Sequence, residues 1–378
     1  LQNVCSKLFK ISPDETLSIV QDLYEKKLVT YPRTDARVLS TAVAKEIYKN
    51  ISGLRNYPQA GEAAQGALEL GAYKNIAKTR STNDKQITDH YAIIPTGQGL
   101  GALKGLSLTA QRVYETIVRR FLSIFYPPAV YQKVSLVTKM ENESFFSSFK
   151  VLLSEGYLKI AANSFAKKSM AEASGKTPES EGEGEVSCDE ALLAALQKLK
   201  KGDILNINGL GIKEGETSPP KRYNSGSMIL AMENAGQLIE DEDLRSQIKG
   251  SGIGTSATRA EILKKLFNIR YLSLNKKTQV ITPTLQGEMI YDVVNCSIRQ
   301  LLNPELTASW EKGLTYVAEG SITEQEYMDK LEHFVRIRTK QVEDSHFQYA
   351  LRQFFDAAAQ LYKKPERETA MKKRQNTL

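Results

Sequence analysis

Near the start of the chain, apolar residues recur at helical spacing. Leu17, Val20, Leu23, Tyr24 and Leu28 form one stripe, with polar residues between them. Ser12, Pro13 and Glu15 match the N-cap, N1 and N3 positions of a capping box, so a helix is predicted over 12–28. It should end before Tyr31, because Pro32 biases its predecessor toward extended backbone. A second helix is expected over 41–51, with Val43, Ile47 and Ile51 on one face and Gly53 closing it. Residues 55–106 are glycine-rich and carry no usable period. A third helix is expected over 109–125, with Val113, Ile117, Phe121 and Ile124 on its apolar side.

The period then changes. Partial alternation with β-branched and aromatic residues predicts strands at 130–139, 144–152 and near 157–161, in an antiparallel sheet. The stretch 172–190 is acidic, glycine-rich and aperiodic, and reads as a solvated loop. DILNIN at 203–208 reads as a strand and 227–235 as a helix. Further on, a Gly-rich turn leads into a helix at 257–267. A short strand and a helix after Thr284 follow, then two more helices from WEKGLTYVAEG onward. Trp310 reads as a core residue, since Leu306 and Leu314 lie four residues to either side. The stretch from Leu361 to the end carries six Lys/Arg and two Glu and reads as a frayed basic tail.

Length and charge add bounds. At 378 residues the chain is too long for one core, and two or three domains are expected. The formal net charge of +7 suits a polyanionic partner, although many basic proteins bind no nucleic acid. Three widely spaced cysteines, Cys5, Cys188 and Cys296, form no metal knuckle and suit reduced thiols. No apolar run approaches a membrane span and no signal peptide is read, so the expectation is a cytoplasmic protein. LQNVCSKLFK opens the chain without a methionine, which suggests an excised domain or one half of a larger protein.

Four stretches carry candidate chemistry. In LVTYPRTDARVLS, Tyr31 can act as a nucleophile on a phosphodiester if positive charge or a proton acceptor activates its phenol. Arg33 and Arg37 can supply charge and multiple hydrogen bonds to phosphate. Extended backbone would put Tyr31, Arg33 and Asp35 on one side, with Asp35 orienting Arg33. The plainer reading is a packed ring in a basic turn. His90, in DHYAIIPT, can bind or protonate a phosphoryl oxygen, or be a satisfied histidine at a domain seam. Gly252-Ile253-Gly254-Thr255-Ser256-Ala257-Thr258-Arg259 opens a helix whose N–H groups, with the hydroxyls of Thr255, Ser256 and Thr258, can accept phosphate. A common glycine turn with an N-cap explains the same letters. It is neither a Walker loop nor a full dinucleotide fingerprint. Lys221, Arg222 and Tyr223 can hold a backbone phosphate or stack a base, or form a solvated turn.

Taken in order, LYEKKLVTYPRTD, DHYAIIPT, PPKRYNSGSMILAM, GIGTSATRAEILKKL and NPELTASWEKGLTYVAEG resemble the motifs of type IA DNA topoisomerases, especially the bacterial topoisomerase III branch. The resemblance covers residues 17–335. It implies a mixed α/β multidomain fold and part of the family's toroid. Residues 1–107 would form a mostly helical tyrosine (gate) domain, 108–218 the returning part of a β-rich arch, 219–335 a helical DNA-holding domain, and 336–378 a helical and basic tail. It implies an ATP-independent reaction: Tyr31 attacks single-stranded DNA, forms a 5′-phosphotyrosyl intermediate, and religation follows strand passage. Arg33 would stabilise the scissile phosphate. His90 would match the first histidine of the family's HHAIIPT-like motif, whose second position here is Tyr91. Gly254, Thr255, Ser256, Thr258 and Arg259 would contact DNA, as would Arg37, Lys221 and Arg222.

The family's Toprim domain, with its glutamate, its lysine and its DxDxE metal site, finds no counterpart in the chain. The expectation is therefore a C-terminal fragment, with Mg²⁺ held outside it and little relaxation by this chain alone. The expected partner is single-stranded DNA, with a helicase as a further candidate, in a monomer without membrane contact. Three rivals remain: a non-catalytic single-stranded DNA-binding module derived from such an enzyme, a tyrosine recombinase, and a relaxase. Three scattered histidines offer no relaxase metal triad.

Overall fold

A computed structural model describes residues 1–87, 89–164, 194–196, 198–206, 209, 211, 214–239, 242 and 252–362. The chain divides into two compact units, one of Leu1–Leu17 with Lys221–Leu378 and the other of Ser18–Pro220. The architecture is mixed and helix-rich, and among the described residues its sheets are two small antiparallel pairs.

In the second unit, α3 (Thr41–Gly53), α4 (Gly61–Leu70) and α5 (Leu108–Ser123) enclose the apolar core. Ile47, Ile51, Leu54, Ala64, Val113, Val118 and Leu122 are buried in it. The α3 stripe runs as its sequence pattern predicts, with Ser40 capping the helix through Val43 N–H. One charged pair is also buried: Glu115 is 3% exposed. Its Oε1 meets Arg119 Nε at 2.6 Å and accepts Ser164 N–H at 2.7 Å. Arg119 also donates to Gln59 O (2.6 Å) and Ile160 O (3.2 Å), so one side chain ties three segments together.

The strands β1 (Val130–Met140) and β2 (Glu143–Ser154) form one antiparallel hairpin, with Tyr131 opposite Leu152 and Met140 opposite Glu143. Two sequence expectations fail here. The third strand near 157–161 is a short helix, α6 (Leu158–Ala161), closed by Ala161 N–H to Tyr157 O (2.9 Å) and Ala162 N–H to Leu158 O (3.1 Å). Residues 203–206 of DILNIN are not a strand either: among the described residues no strand pairs with them, and Ile204 is 93% exposed. The acidic stretch 172–190 lies outside the described residues.

The glycine-rich region, unreadable by period, holds α4 and several 3₁₀ turns, such as Ala72–Lys78 and Leu100–Gly105. The 3₁₀ turn has three residues per turn and leaves no stripe of 3.6.

In the first unit, α1 (Gln2–Phe9) packs on α7 (Ser225–Glu233). A buried polar chain links them: Ser6 Oγ lies 2.9 Å from Ser225 Oγ, which donates to Gln279 Oε1 at 2.9 Å. Cys5, fully buried beside it, has its thiol pushed up to about 11 by that burial. The chain then enters α2 (Pro13–Glu25), where the Ser12 hydroxyl accepts Glu15 N–H at 3.1 Å, as the capping pattern predicts.

Ile229, Met232 and Leu263 form a core between α7 and α8 (Ser256–Asn268). After α8 come the antiparallel pair β3 (Leu272–Leu274) and β4 (Ile281–Pro283), then α9 (Leu285–Ser297), α10 (Pro304–Ala318), α11 (Glu324–Glu343) and α12 (Gln348–Tyr362). Leu361 and Tyr362 end α12, and the rest of the basic tail lies outside the described residues. Trp310 is half-buried rather than core: Leu314 is 48% exposed, and aromatic rings of α11 cover the indole instead.

Candidate nucleic-acid site

The tyrosine segment and the histidine segment, far apart in sequence, are stitched together in the second unit. Thr30 N–H donates to Ile94 O and Thr96 N–H to Leu28 O, each at 3.0 Å. Val29 and Pro95 form an antiparallel bridge between these bonds. The Thr30 hydroxyl accepts Ile94 N–H (2.9 Å) and donates to Ala92 O (3.2 Å). Further along, Ala92 N–H donates to Val38 O (2.9 Å), and Thr34 Oγ1 donates to His90 O (2.7 Å). Asn50 of α3 donates to Pro95 O (2.9 Å) and anchors the pairing to the helical core.

This pairing brings His90 to Tyr31. Their ring centroids are 4.4 Å apart at 43°. On its other side Tyr31 meets Tyr24 of α2, edge to face, at 5.5 Å and 85°. Tyr31 is half-buried, while Arg33, Asp35, Arg37 and His90 are exposed. The Tyr31 ring is therefore held between two others, in a segment whose Arg33 and Arg37 side chains are exposed. Tyr91, beside His90, is a different case: burial pushes its phenol up, which disfavours a phenolate there.

In the first unit the glycine turn behaves as its letters suggest. Thr255 caps α8 in a reciprocal box: its hydroxyl accepts Thr258 N–H (3.3 Å), and Thr258 Oγ1 accepts Thr255 N–H (2.8 Å). Thr255 and Thr258 are both exposed, and Ser256 starts the helix. Arg259 points inward: it is 4% exposed and donates from Nε to Ile253 O (3.0 Å) and from its terminal nitrogen to Gly254 O (2.7 Å). It braces the turn from beneath.

Gly252 has φ +59°, and a Cβ there would lie 2.4 Å from both Met232 O and Glu233 O. Gly252→Ala is expected to cost about 1–3 kcal/mol through left-handed strain and carbonyl overlap. Faster amide exchange in the first turn of α8 and a lower unfolding midpoint would show it; unchanged exchange would contradict it.

Lys221, Arg222 and Tyr223 are exposed beside this unit's small sheet, where Tyr223 O accepts Ile281 N–H at 2.8 Å. Each unit thus gathers its own set: Tyr31, Arg33, Arg37 and His90 in one, and Lys221, Arg222 and the Gly254–Arg259 turn in the other. Two neighbours had no signal in the sequence: Thr30 and Thr34 owe their positions to a pairing of distant segments. Tyr24, read as part of the apolar stripe of α2, is 39% exposed and gives its ring to Tyr31 instead.

Residues 1–329 match the model of a family described as DNA topoisomerase. The chain is 33% identical over 350 residues to DNA topoisomerase 3 of Bacillus licheniformis, covering 92% of this chain and 44% of that protein. It is 32% identical to DNA topoisomerase 3 of Bacillus subtilis, covering 91% of this chain and 44% of that one. The chain belongs to the type IA DNA topoisomerases, on the topoisomerase III-like branch.

It spans about 44% of the length of these topoisomerase relatives. Among the described residues no helix is long and apolar enough to cross a membrane. The family resemblance implies Mg²⁺, but no group of three or more His, Cys, Asp or Glu among the described residues could hold a metal. Among the described residues the rings against Tyr31 are those of His90 and Tyr24, and this set does not fit a divalent cation.

Proposed function

We propose that this chain supplies the nucleophile and part of the DNA-holding surface of a complete ATP-independent topoisomerase. The observation that carries the reading is the contact of Tyr31 with His90 at 4.4 Å, in a segment that also exposes Arg33 and Arg37. Tyr31 Oη attacks a phosphorus of single-stranded DNA. The bond from phosphorus to the 3′-oxygen breaks as the bond to tyrosine forms, and the phenol proton is delivered to the departing 3′-oxygen. The product is a 5′-phosphotyrosyl link and a free 3′-hydroxyl. Reversal after strand passage restores the DNA, so the phosphodiester energy is conserved.

Arg33 neutralises the pentacoordinate phosphoryl charge. His90, held by Thr34 through its own backbone, adds an imidazole at the rim of the phenol, where a phosphoryl oxygen would lie. Asp35 fixes the approach of Arg33. Arg37, Lys221 and Arg222 contact backbone phosphates. Gly254, Thr255, Ser256 and Thr258 offer backbone and hydroxyl groups at the start of α8, and Arg259 keeps that turn in shape. Mg²⁺ would be bound by acidic groups other than those described, and the steps at Tyr31 are written without it.

On this reading residues 1–107 form the gate domain, 108–218 the arch, 219–335 the DNA-holding domain and 336–378 a tail, within a toroid. The protein acts as a cytoplasmic monomer on single-stranded DNA, with a helicase as a candidate partner.

The test is to trap the covalent complex. The complete enzyme is mixed with 3′-end-labelled single-stranded DNA, denatured and digested with a protease. The expected result is label attached through a 5′-phosphate to the peptide that carries Tyr31. Label on another peptide, or attachment through a 3′-phosphate, would overturn the assignment.

A further inference from the structure

Ala92 closes the tyrosine segment into a loop. Its carbonyl accepts the Thr30 hydroxyl at 3.2 Å and its N–H donates to Val38 O at 2.9 Å, so one residue joins both ends of 31–37. The Thr30 hydroxyl also accepts Ile94 N–H at 2.9 Å, which leaves its hydrogen for Ala92 O. Tyr31, Arg33, Asp35 and Arg37 all stand on the loop so closed.

Thr34, half-buried in the middle of that loop, fastens it to the histidine segment a second time. Its hydroxyl accepts Ala36 N–H at 3.0 Å and donates to His90 O at 2.7 Å. A hydroxyl has one hydrogen, and the bond from Ala36 orients it toward the His90 carbonyl. With that hydrogen engaged, the Thr34 hydroxyl has none to offer a phosphate. It organises the site instead of binding the substrate.

What it organises is His90. The backbone there is held on one side by Thr34 and, two residues on, by Ala92 at the neck of the loop. The imidazole is exposed, and its centroid lies 4.4 Å from that of Tyr31. An exposed ring keeps its place only as well as its backbone does. Without the Thr34 bond, water replaces the donor at His90 O, and the residue is tied down from Ala92 alone.

We propose that Thr34 is a positioning residue whose hydroxyl sets the His90 imidazole against the Tyr31 ring. Its consequence for cleavage rests on the reading of Tyr31 as the nucleophile; its consequence for the place of His90 does not.

Valine matches threonine in shape without the hydroxyl, so Thr34→Val removes both bonds and keeps the branch at Cβ. Thr34→Ser keeps the hydroxyl. The chain has three histidines, and His333 and His346 belong to the other unit. Ring-labelled histidine in the 378-residue chain therefore gives a short NMR spectrum, in which His90→Gln identifies the His90 signal. Tyr31→Leu should displace that signal, because the ring current beside it is gone. Thr34→Val should displace it in the same direction, with His333 and His346 unmoved, and Thr34→Ser should leave it near its wild-type position. A His90 signal unmoved in Thr34→Val, or moved as far in Thr34→Ser, would overturn the proposal.

In the complete enzyme, Thr34→Val should slow single-turnover cleavage of an oligonucleotide about tenfold or more, as misplacement on the order of 1 Å does. Affinity for the oligonucleotide should change by less than about threefold, and Thr34→Ser should restore the rate. Thr34→Val combined with His90→Ala should cleave no more slowly than His90→Ala alone, because the hydroxyl acts through that residue. Fully additive losses would overturn it. The NMR readout needs neither DNA nor cleavage, so a failure of this proposal is told apart from a failure of the nucleophile assignment.

Discussion

Tyr31→Phe in the complete enzyme is expected to abolish the covalent DNA adduct while changing single-stranded DNA affinity by less than about threefold. The substitution removes one oxygen and keeps the ring. The packing against Tyr24 at 5.5 Å and His90 at 4.4 Å survives, so the paired segments and the exposed Arg33 stay in place. Loss of a nucleophile alone lowers turnover on the order of 10⁶-fold in well-studied covalent catalysis. Relaxation should therefore fall to background. Adduct trapping after denaturation and a binding titration with the same oligonucleotide measure the two halves of this result. An adduct at wild-type level would remove Tyr31 from its role. Binding lost together with the adduct would mean that the ring holds the fold of the site rather than the chemistry.

Arg119→Met should produce the largest loss of stability from a side chain outside the proposed site, about 3–5 kcal/mol. The Glu115 and Arg119 side chains are only 5% and 13% exposed. Methionine matches much of the arginine stem but leaves the Glu115 carboxylate buried without its cation. Ser164 still offers N–H and hydroxyl donors at 2.7 and 2.8 Å, and these offset only part of the lost charge. The bonds to Gln59 O and Ile160 O disappear as well, so α5 loses its ties to the segment before α4 and to α6. Denaturant unfolding followed by a probe in the second unit would measure the effect. Glu115→Gln in the same chain should recover part of it, because the stranded charge is then gone. A loss below about 1 kcal/mol for Arg119→Met would place the pair among weak surface bridges instead.

Much of the helical part is legible in the residues themselves. The capping signals at Ser12 and Thr255 are local: one side chain, one N–H three residues on, and a stripe of apolar positions behind it. The β1–β2 hairpin is legible for the same reason, since alternation records two faces. Misreadings fall where a segment lacks the partner that its letters suggest. DILNIN has strand-like composition, but residues 203–206 have no partner strand among the described residues, and β propensity without a neighbouring strand fixes no backbone. Trp310 shows the converse. Its expected partners Leu306 and Leu314 share its helix, whereas its actual neighbours Tyr327 and Phe334 come from the next one.

The candidate site divides along the same line. Tyr31, Arg33 and His90 are readable as chemical possibilities, and the order of motifs points to the family that residues 1–329 match. What the letters at Tyr31 cannot hold is its environment. That environment comes from Thr30 joining Ala92 and Ile94 with one hydroxyl, from Thr34 fastening the His90 carbonyl across 56 residues, and from Tyr24 presenting a ring from the helix before. Arg259 illustrates the limit: its sequence context suggests a guanidinium for DNA, and the fold turns it under the glycine turn.

By itself, then, the sequence determined the capped and striped helices, the β1–β2 hairpin, the family and the list of groups able to handle phosphate, but not α4 or α6. The reason is that periodicity and capping are local, and motif order needs no contact between motifs. Only the tertiary structure decided which of those groups meet and which face solvent. Hydrogen bonds and ring contacts between distant segments arise when a chain closes on itself, and no local pattern encodes that closure.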